Sequence, residues 1–96
     1  MSPQKRKKLS KIRSELDKLD DLLIKIIKKR TSLVQKVLKL KENKNQIVDQ
    51  KRISKILKSI KKKSLKNNID PKITNRIWKN MIWSYIDYER RNFKKK

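Results

Sequence analysis

Apolar residues recur in steps of three and four from Leu9 onward: Ile12, Leu16, Leu19, Leu23, Ile26, Ile27, Leu33, Val34, Val37 and Leu40. That spacing predicts one amphipathic helix over roughly residues 9 to 42. Residues 43–48, NKNQIV, break it, being Asn-rich and without sustained periodicity. Asp49 is placed to cap a second helix that carries Ile53, Ile56, Leu57 and Ile60 on one face. A second break, KNNIDP, offers Asp70 as a cap and Pro71 for the first helical position. The third helix then carries Ile73, Ile77, Met81, Ile82, Tyr85, Ile86 and Phe93 and frays into a lysine tail at 94–96. There is no alternating strand pattern and no internal repeat. The pattern predicts an all-α chain of three helices with a long first one. It forms a single domain over residues 1–96 with a basic N-terminal arm over about 1–8.

A helix of that length would be ~50 Å long, too long for a compact monomer of this size. Half of its apolar stripe must find a partner elsewhere, so an obligate oligomer is expected. Composition points the same way. At 34% hydrophobic and 42% charged residues, a monomer has little core to spare. Cysteine and histidine are both absent, which removes disulfides, thiolate chemistry and the commonest general base and metal ligand. Any catalysis must run on carboxylates, cations and hydrogen bonds, with no metal and no cofactor. No apolar run approaches the ~20 residues that span a bilayer. The start MSPQKRKKLS leads into an amphipathic stretch with acids rather than a signal-peptide core, and nothing resembles a fused second domain. The expected location is the cytoplasm.

The formal charge of +22 suggests nucleic acid as a partner, yet it is diluted by its context. The chain has neither Gly nor Ala and abounds in Lys, Ile and Asn, as an A/T-rich genome would give. Most of the lysines are then solvated surface. Trp78, Trp83, Tyr85 and Tyr88 partly continue an apolar helix face, where Trp78 and Tyr85 read as core rather than as stacking platforms. A lipid-binding face fits less well, because Glu15, Asp17, Asp20 and Asp21 cluster on the first helix.

The few arginines are more informative. Arg13 and Arg30 lie seventeen residues apart, Lys41 follows eleven later, and Arg52 comes just after Asp49. Arg30 and Lys41 fall within ~20° of one helix face and ~16 Å apart along it, so two long side chains could grip a small anion. Arg13 is ~25 Å from Arg30 and cannot join them from the same helix. An antiparallel partner helix crossing near residues 24 and 25 would bring Arg13 opposite residue 36, between the two, and a dyad would make two such sites. The plainer reading, surface arginines paired with acids such as Asp17 and Asp20, stands beside it.

At this point the sequence resembles the all-helical chorismate mutase family. The resemblance runs through IRSELDKLDDLLIKIIKKR, LVQKVLKLK, VDQKR and IDPKITNRIWKNMIWSYIDYE, covering residues 12 to 89. It implies an intertwined helical homodimer whose long first helices pair and whose sites hold chorismate. The family's cations fall on Arg13 from the partner subunit, Arg30 and Lys41 on the long helix, and Arg52 on the second. Asp49 matches an aspartate whose backbone faces the substrate hydroxyl. Three positions depart from the family: Ile53 replaces a common glutamate, Tyr85 a small serine, and Glu89 the glutamine that bonds the ether oxygen. A register shifted by one would put Ser84 and Tyr88 in the last two roles.

The implied reaction, chorismate to prephenate in phenylalanine and tyrosine biosynthesis, is pericyclic and needs no nucleophile, which suits this composition. Arg13 and Arg30 would hold carboxylates bidentately, and Lys41 would stabilise charge developing on the ether oxygen. Glu89 can donate a hydrogen bond to that oxygen only when protonated, so activity should fall as pH rises. Ile53 and Tyr85 also resemble the isochorismate pyruvate-lyase variant of the same fold, and a non-catalytic basic helical protein is the remaining alternative.

Overall fold

Ser2 and Pro3 start the first helix well before the apolar pattern does. In this computed structural model, which describes residues 1–95, helix α1 spans Pro3–Leu40. Ser2 acts as its cap: the Ser2 Oγ accepts from the Lys5 N–H at 3.2 Å and its carbonyl from the Arg6 N–H at 2.9 Å. Pro3 occupies the first helical position, where its missing N–H costs nothing. Residues 3–8, expected as a basic arm, are therefore the first turns of the helix. The Ser-Pro pair was the signal for this, ahead of any apolar residue. At the other end α1 stops at Leu40, two residues short of the expected boundary.

A single 3₁₀ turn, Lys44–Gln46, interrupts the Asn-rich break. Helix α2, Gln50–Lys66, is capped by Asp49, whose Oδ1 accepts from the Arg52 N–H at 3.0 Å. It ends in a Schellman turn. The Ile69 N–H reaches back to the Ser64 carbonyl at 2.8 Å and the Asn68 N–H to the Leu65 carbonyl at 3.2 Å. That turn needs a left-handed residue, and in a chain without glycine Asn68 supplies it at φ 56°. Helix α3, Pro71–Asn92, begins on an Asp70 cap, with the Lys72 N–H 2.9 Å from Asp70 Oδ1. Phe93, expected on this helix, lies just beyond it with extended backbone. Of the expected frayed tail, Lys94 and Lys95 are non-helical and Lys96 lies outside the described residues. No strand occurs among the described residues.

The chain divides into two compact units, residues 1–33 and 34–96. In the first, α1 carries no buried side chain at all, and Ile12, Leu16, Leu19, Leu23 and Ile26 are each more than half exposed. In the second, α2 packs on α3 and the small core contains Ile47 and Ile86. Ser64 and Thr74 are buried between these helices with their hydroxyl oxygens 2.6 Å apart. The Ser64 hydroxyl also lies 2.6 Å from the Ile60 carbonyl, so when it donates there it accepts from Thr74. Ser64→Ala should cost about 1–2 kcal/mol by removing that partner from a buried hydroxyl. Urea unfolding checks this, and adding Thr74→Val should recover part of the loss. Ile73 and Ile77 of α3 remain exposed, unlike Ile86 on the same helix.

Candidate functional site

Lys41 is the first residue past the end of α1, where the helix ladder closes with a tightened bond from its N–H to the Leu38 carbonyl at 3.2 Å. Its side chain turns inward and is only 18% exposed. The ammonium Nζ lies 2.6 Å from Glu89 Oε2 and 3.5 Å from the Ile47 carbonyl oxygen. Glu89 sits near the end of α3 with its side chain 9% exposed. A carboxylate this deep requires a partner, and Lys41 provides it. The Lys41 ammonium has three donors; these two acceptors engage two of them.

Around this pair the positions singled out from the sequence fall into distinct surroundings. Tyr85 lies one turn before Glu89 on α3 and is half-buried. Asp49 and Arg52 are exposed at the start of α2, and the Asp49 carboxylate is spent on the Arg52 backbone N–H. Arg13 and Arg30 are exposed on α1 within the unit formed by residues 1–33. Ser84 and Tyr88 meet other groups. The Ser84 hydroxyl donates to the Asn80 carbonyl at 2.7 Å, and the Tyr88 hydroxyl accepts from Gln35 Nε2 at 3.0 Å. Glu89, not Tyr88, is the α3 side chain that meets Lys41.

Ile53 is half-buried and lines a groove of about 600 Å³ between α2 and α3, with Leu57, Ile60, Thr74 and Asn75. None of the six cations and acids above lines that groove, so its size does not mark the chemistry.

Three participants escaped the sequence pattern: the Ile47 carbonyl, Gln35, and Gln46, whose Oε1 accepts from the Glu42 and Asn43 N–H groups beside Lys41. A backbone acceptor has no sequence signature. Gln35 and Gln46 are isolated amides whose partners are set by how the chain turns. Among the described residues no group of three or more Asp or Glu side chains could hold a metal ion.

Chemically, the centre offers one inward-facing ammonium and one carboxyl that accepts when ionised and donates when protonated. It offers no nucleophile. Of the two, the ammonium suits an oxygen on which negative charge gathers. No helix is long and apolar enough to cross a membrane among the described residues.

Neither the curated proteins nor the solved structures give a match to this chain. The model of one family, chorismate mutase type II, matches residues 12–90, which takes in Arg13, Arg30, Lys41, Asp49, Arg52, Tyr85 and Glu89. With its three helices and with that match over most of its length, the chain belongs to the chorismate mutase type II family.

Proposed function

We propose that the protein is a chorismate mutase, an isomerase that converts chorismate to prephenate in the synthesis of phenylalanine and tyrosine, and that it works as a homodimer. The observation that carries this is the inward-facing Lys41–Glu89 pair at 2.6 Å, on two positions to which the sequence resemblance gives the ether-binding role. In this reading Lys41 directs a hydrogen bond at the ether oxygen and stabilises the charge that gathers there as the C–O bond breaks. Arg30, and Arg13 delivered by the second subunit, clamp the two carboxylates and hold the chair-like conformer in which the reacting carbons meet. Arg52 adds a cation at the head of α2. The backbone of Asp49 faces the ring hydroxyl, and Tyr85 lines the site beside Glu89. Because the bonds shift within one molecule, no cofactor, nucleophile or proton relay takes part.

The exposed apolar face of α1 supports the dimer. It consists of residues that a soluble chain covers, and an intertwined pair of α1 helices would cover them.

The test is the loss of chorismate on incubation with purified protein, with the product identified by chromatography and isochorismate offered in parallel. Prephenate should form from chorismate, and Arg30→Ala should abolish detectable turnover. Salicylate and pyruvate from isochorismate alone would instead assign the lyase reaction, which Ile53 and Tyr85 favour in sequence.

The Glu89 carboxylate holds Lys41 as an ion pair and repels the negative charge that develops on the ether oxygen, whereas an amide at the same position donates to it. Glu89→Gln should therefore raise kcat/KM for chorismate in steady-state kinetics; an unchanged value would remove Glu89 from the ether contact.

A further inference from the structure

The chain passes from α1 to α2 through a turn without glycine, and that turn is built around one side chain. Past Leu40 the Glu42 and Asn43 N–H groups point to the Gln46 carboxamide rather than to a backbone carbonyl. Gln46 Oε1 accepts from Glu42 at 2.6 Å and from Asn43 at 3.0 Å. The Gln46 N–H closes back on the Asn43 carbonyl and the Ile47 N–H on the Lys44 carbonyl, each at 3.1 Å. A ring of hydrogen bonds thus encloses residues 42–47. The next residue out at one end is Lys41. At the other end is Ile47, buried at 4% exposure, whose carbonyl lies 3.5 Å from the Lys41 ammonium.

We propose that Gln46 is a positioning residue for Lys41: its carboxamide oxygen fixes the turn that sets the Lys41 backbone on one side and the Ile47 carbonyl acceptor on the other. Lys41 is the first residue beyond a helix end, where the chain would otherwise fray, and its long side chain has to reach one oxygen of Glu89. Three anchors hold it: the Leu38 carbonyl on its N–H, the Ile47 carbonyl on its ammonium, and the closed turn between them. Gln46 is itself exposed, so water can take over its two N–H partners when its acceptor is removed. Stability should therefore change little while the ammonium loses its fixed position. Misplacement of a reacting group by about 1 Å can cost about 10²-fold in rate.

The consequence for turnover rests on the mutase reading; the positioning itself does not. The experiment compares Gln46→Leu, which removes the acceptor, with Gln46→Glu, which keeps one. Two readouts are taken: steady-state kinetics on chorismate, and the ¹⁵N-correlated ammonium resonance of Lys41, which an ion pair shielded from water keeps visible. Gln46→Leu should lower kcat by about 10- to 100-fold with KM nearly constant and should erase the ammonium signal, while Gln46→Glu retains most of both. If the wild-type protein leaves chorismate unchanged yet the Lys41 signal still depends on Gln46, the mutase reading falls and the positioning stands. An unaltered Lys41 signal in folded Gln46→Leu would overturn the proposal. Should Gln46→Leu fail to fold, Gln46→Asn, which draws the acceptor back by one methylene, decides. Full retention of the Lys41 signal there means a structural role only, and its loss in a folded protein supports the proposal.

Discussion

Lys41→Met is expected to lower kcat/KM for chorismate by about 10²–10³-fold, the usual loss when one preorganised donor to a developing oxyanion is removed. Methionine keeps much of the stem and its packing but not the charge, so the change isolates the ammonium. The same substitution strands Glu89. With its side chain only 9% exposed and its 2.6 Å partner gone, the carboxylate must either pick up a proton or pay for its burial. The stability loss should be smaller than the roughly 3–5 kcal/mol seen when fully buried pairs are broken, because Lys41 retains some contact with water. Pairing Lys41→Met with Glu89→Gln separates the two effects. The double variant should regain much of the lost melting temperature, since no buried charge is left, and should remain as slow as the single one. Recovery of activity in the double variant would show that the lysine serves only to neutralise Glu89. Thermal melts and steady-state kinetics on the same preparations decide this.

If the chain pairs as proposed, Leu23→Glu is expected to convert the dimer to a poorly folded monomer. Leu23 is 54% exposed within one chain and lies on the stripe formed by Ile12, Leu16, Leu19 and Ile26. Covering a leucine fully is worth about 1.5–3 kcal/mol, and several such residues in each chain give an interface of substantial strength. A glutamate there loses that term and must also be desolvated. In the proposed antiparallel pairing, with a crossing near residues 24 and 25, both copies of the new charge would come close together, which adds repulsion. The readout is sedimentation equilibrium over a range of concentrations. The wild-type chain should behave as twice its 11.7 kDa mass and melt at a temperature that rises with concentration. The variant should sediment as a monomer with diminished helical signal. A wild-type chain that stays monomeric at high concentration with a cooperative melt would remove the dimer, and with it the delivery of Arg13 from a partner.

The sequence made some of these features legible and hid others for identifiable reasons. Asp49, Asp70 and Pro71 announced two helix starts because capping is a local interaction, written within three or four residues. Ser2 and Pro3 carried the same information for α1, but the first apolar residue of the stripe, Leu9, drew the boundary inward. Asn68 shows a different limit. An asparagine in a break is consistent with many turns, and only the backbone bonds from Ile69 and Asn68 reveal a Schellman closure. The spacing of Arg13 and Arg30 could be read directly, since both lie on α1 and depend on helical period alone, whereas Lys41, expected on the same helix, falls one residue past its end and Arg52 lies on α2. The meeting of Lys41 with Glu89 could not. It joins residues 48 positions apart through two turns, and it came into view only as a family position before the fold was known. Ile53 illustrates the reverse: its identity was conspicuous in sequence, while its place in the groove between α2 and α3 depends on how those helices pack.

The helices α2 and α3 are joined by only four residues, 67–70, and pack on each other. Contacts so near in sequence need little loop closure, so this hairpin belongs to the fast class of folding events. Residues 1–33 hold no buried side chain and have no comparable reward available early. If the chain pairs as proposed, its assembly separates into a quick step whose rate ignores concentration and a later one governed by encounter. On that reading, a cell that made little of this chain would hold hairpins waiting for company, with the net charge of +22 opposing every encounter that lacks the matching apolar faces.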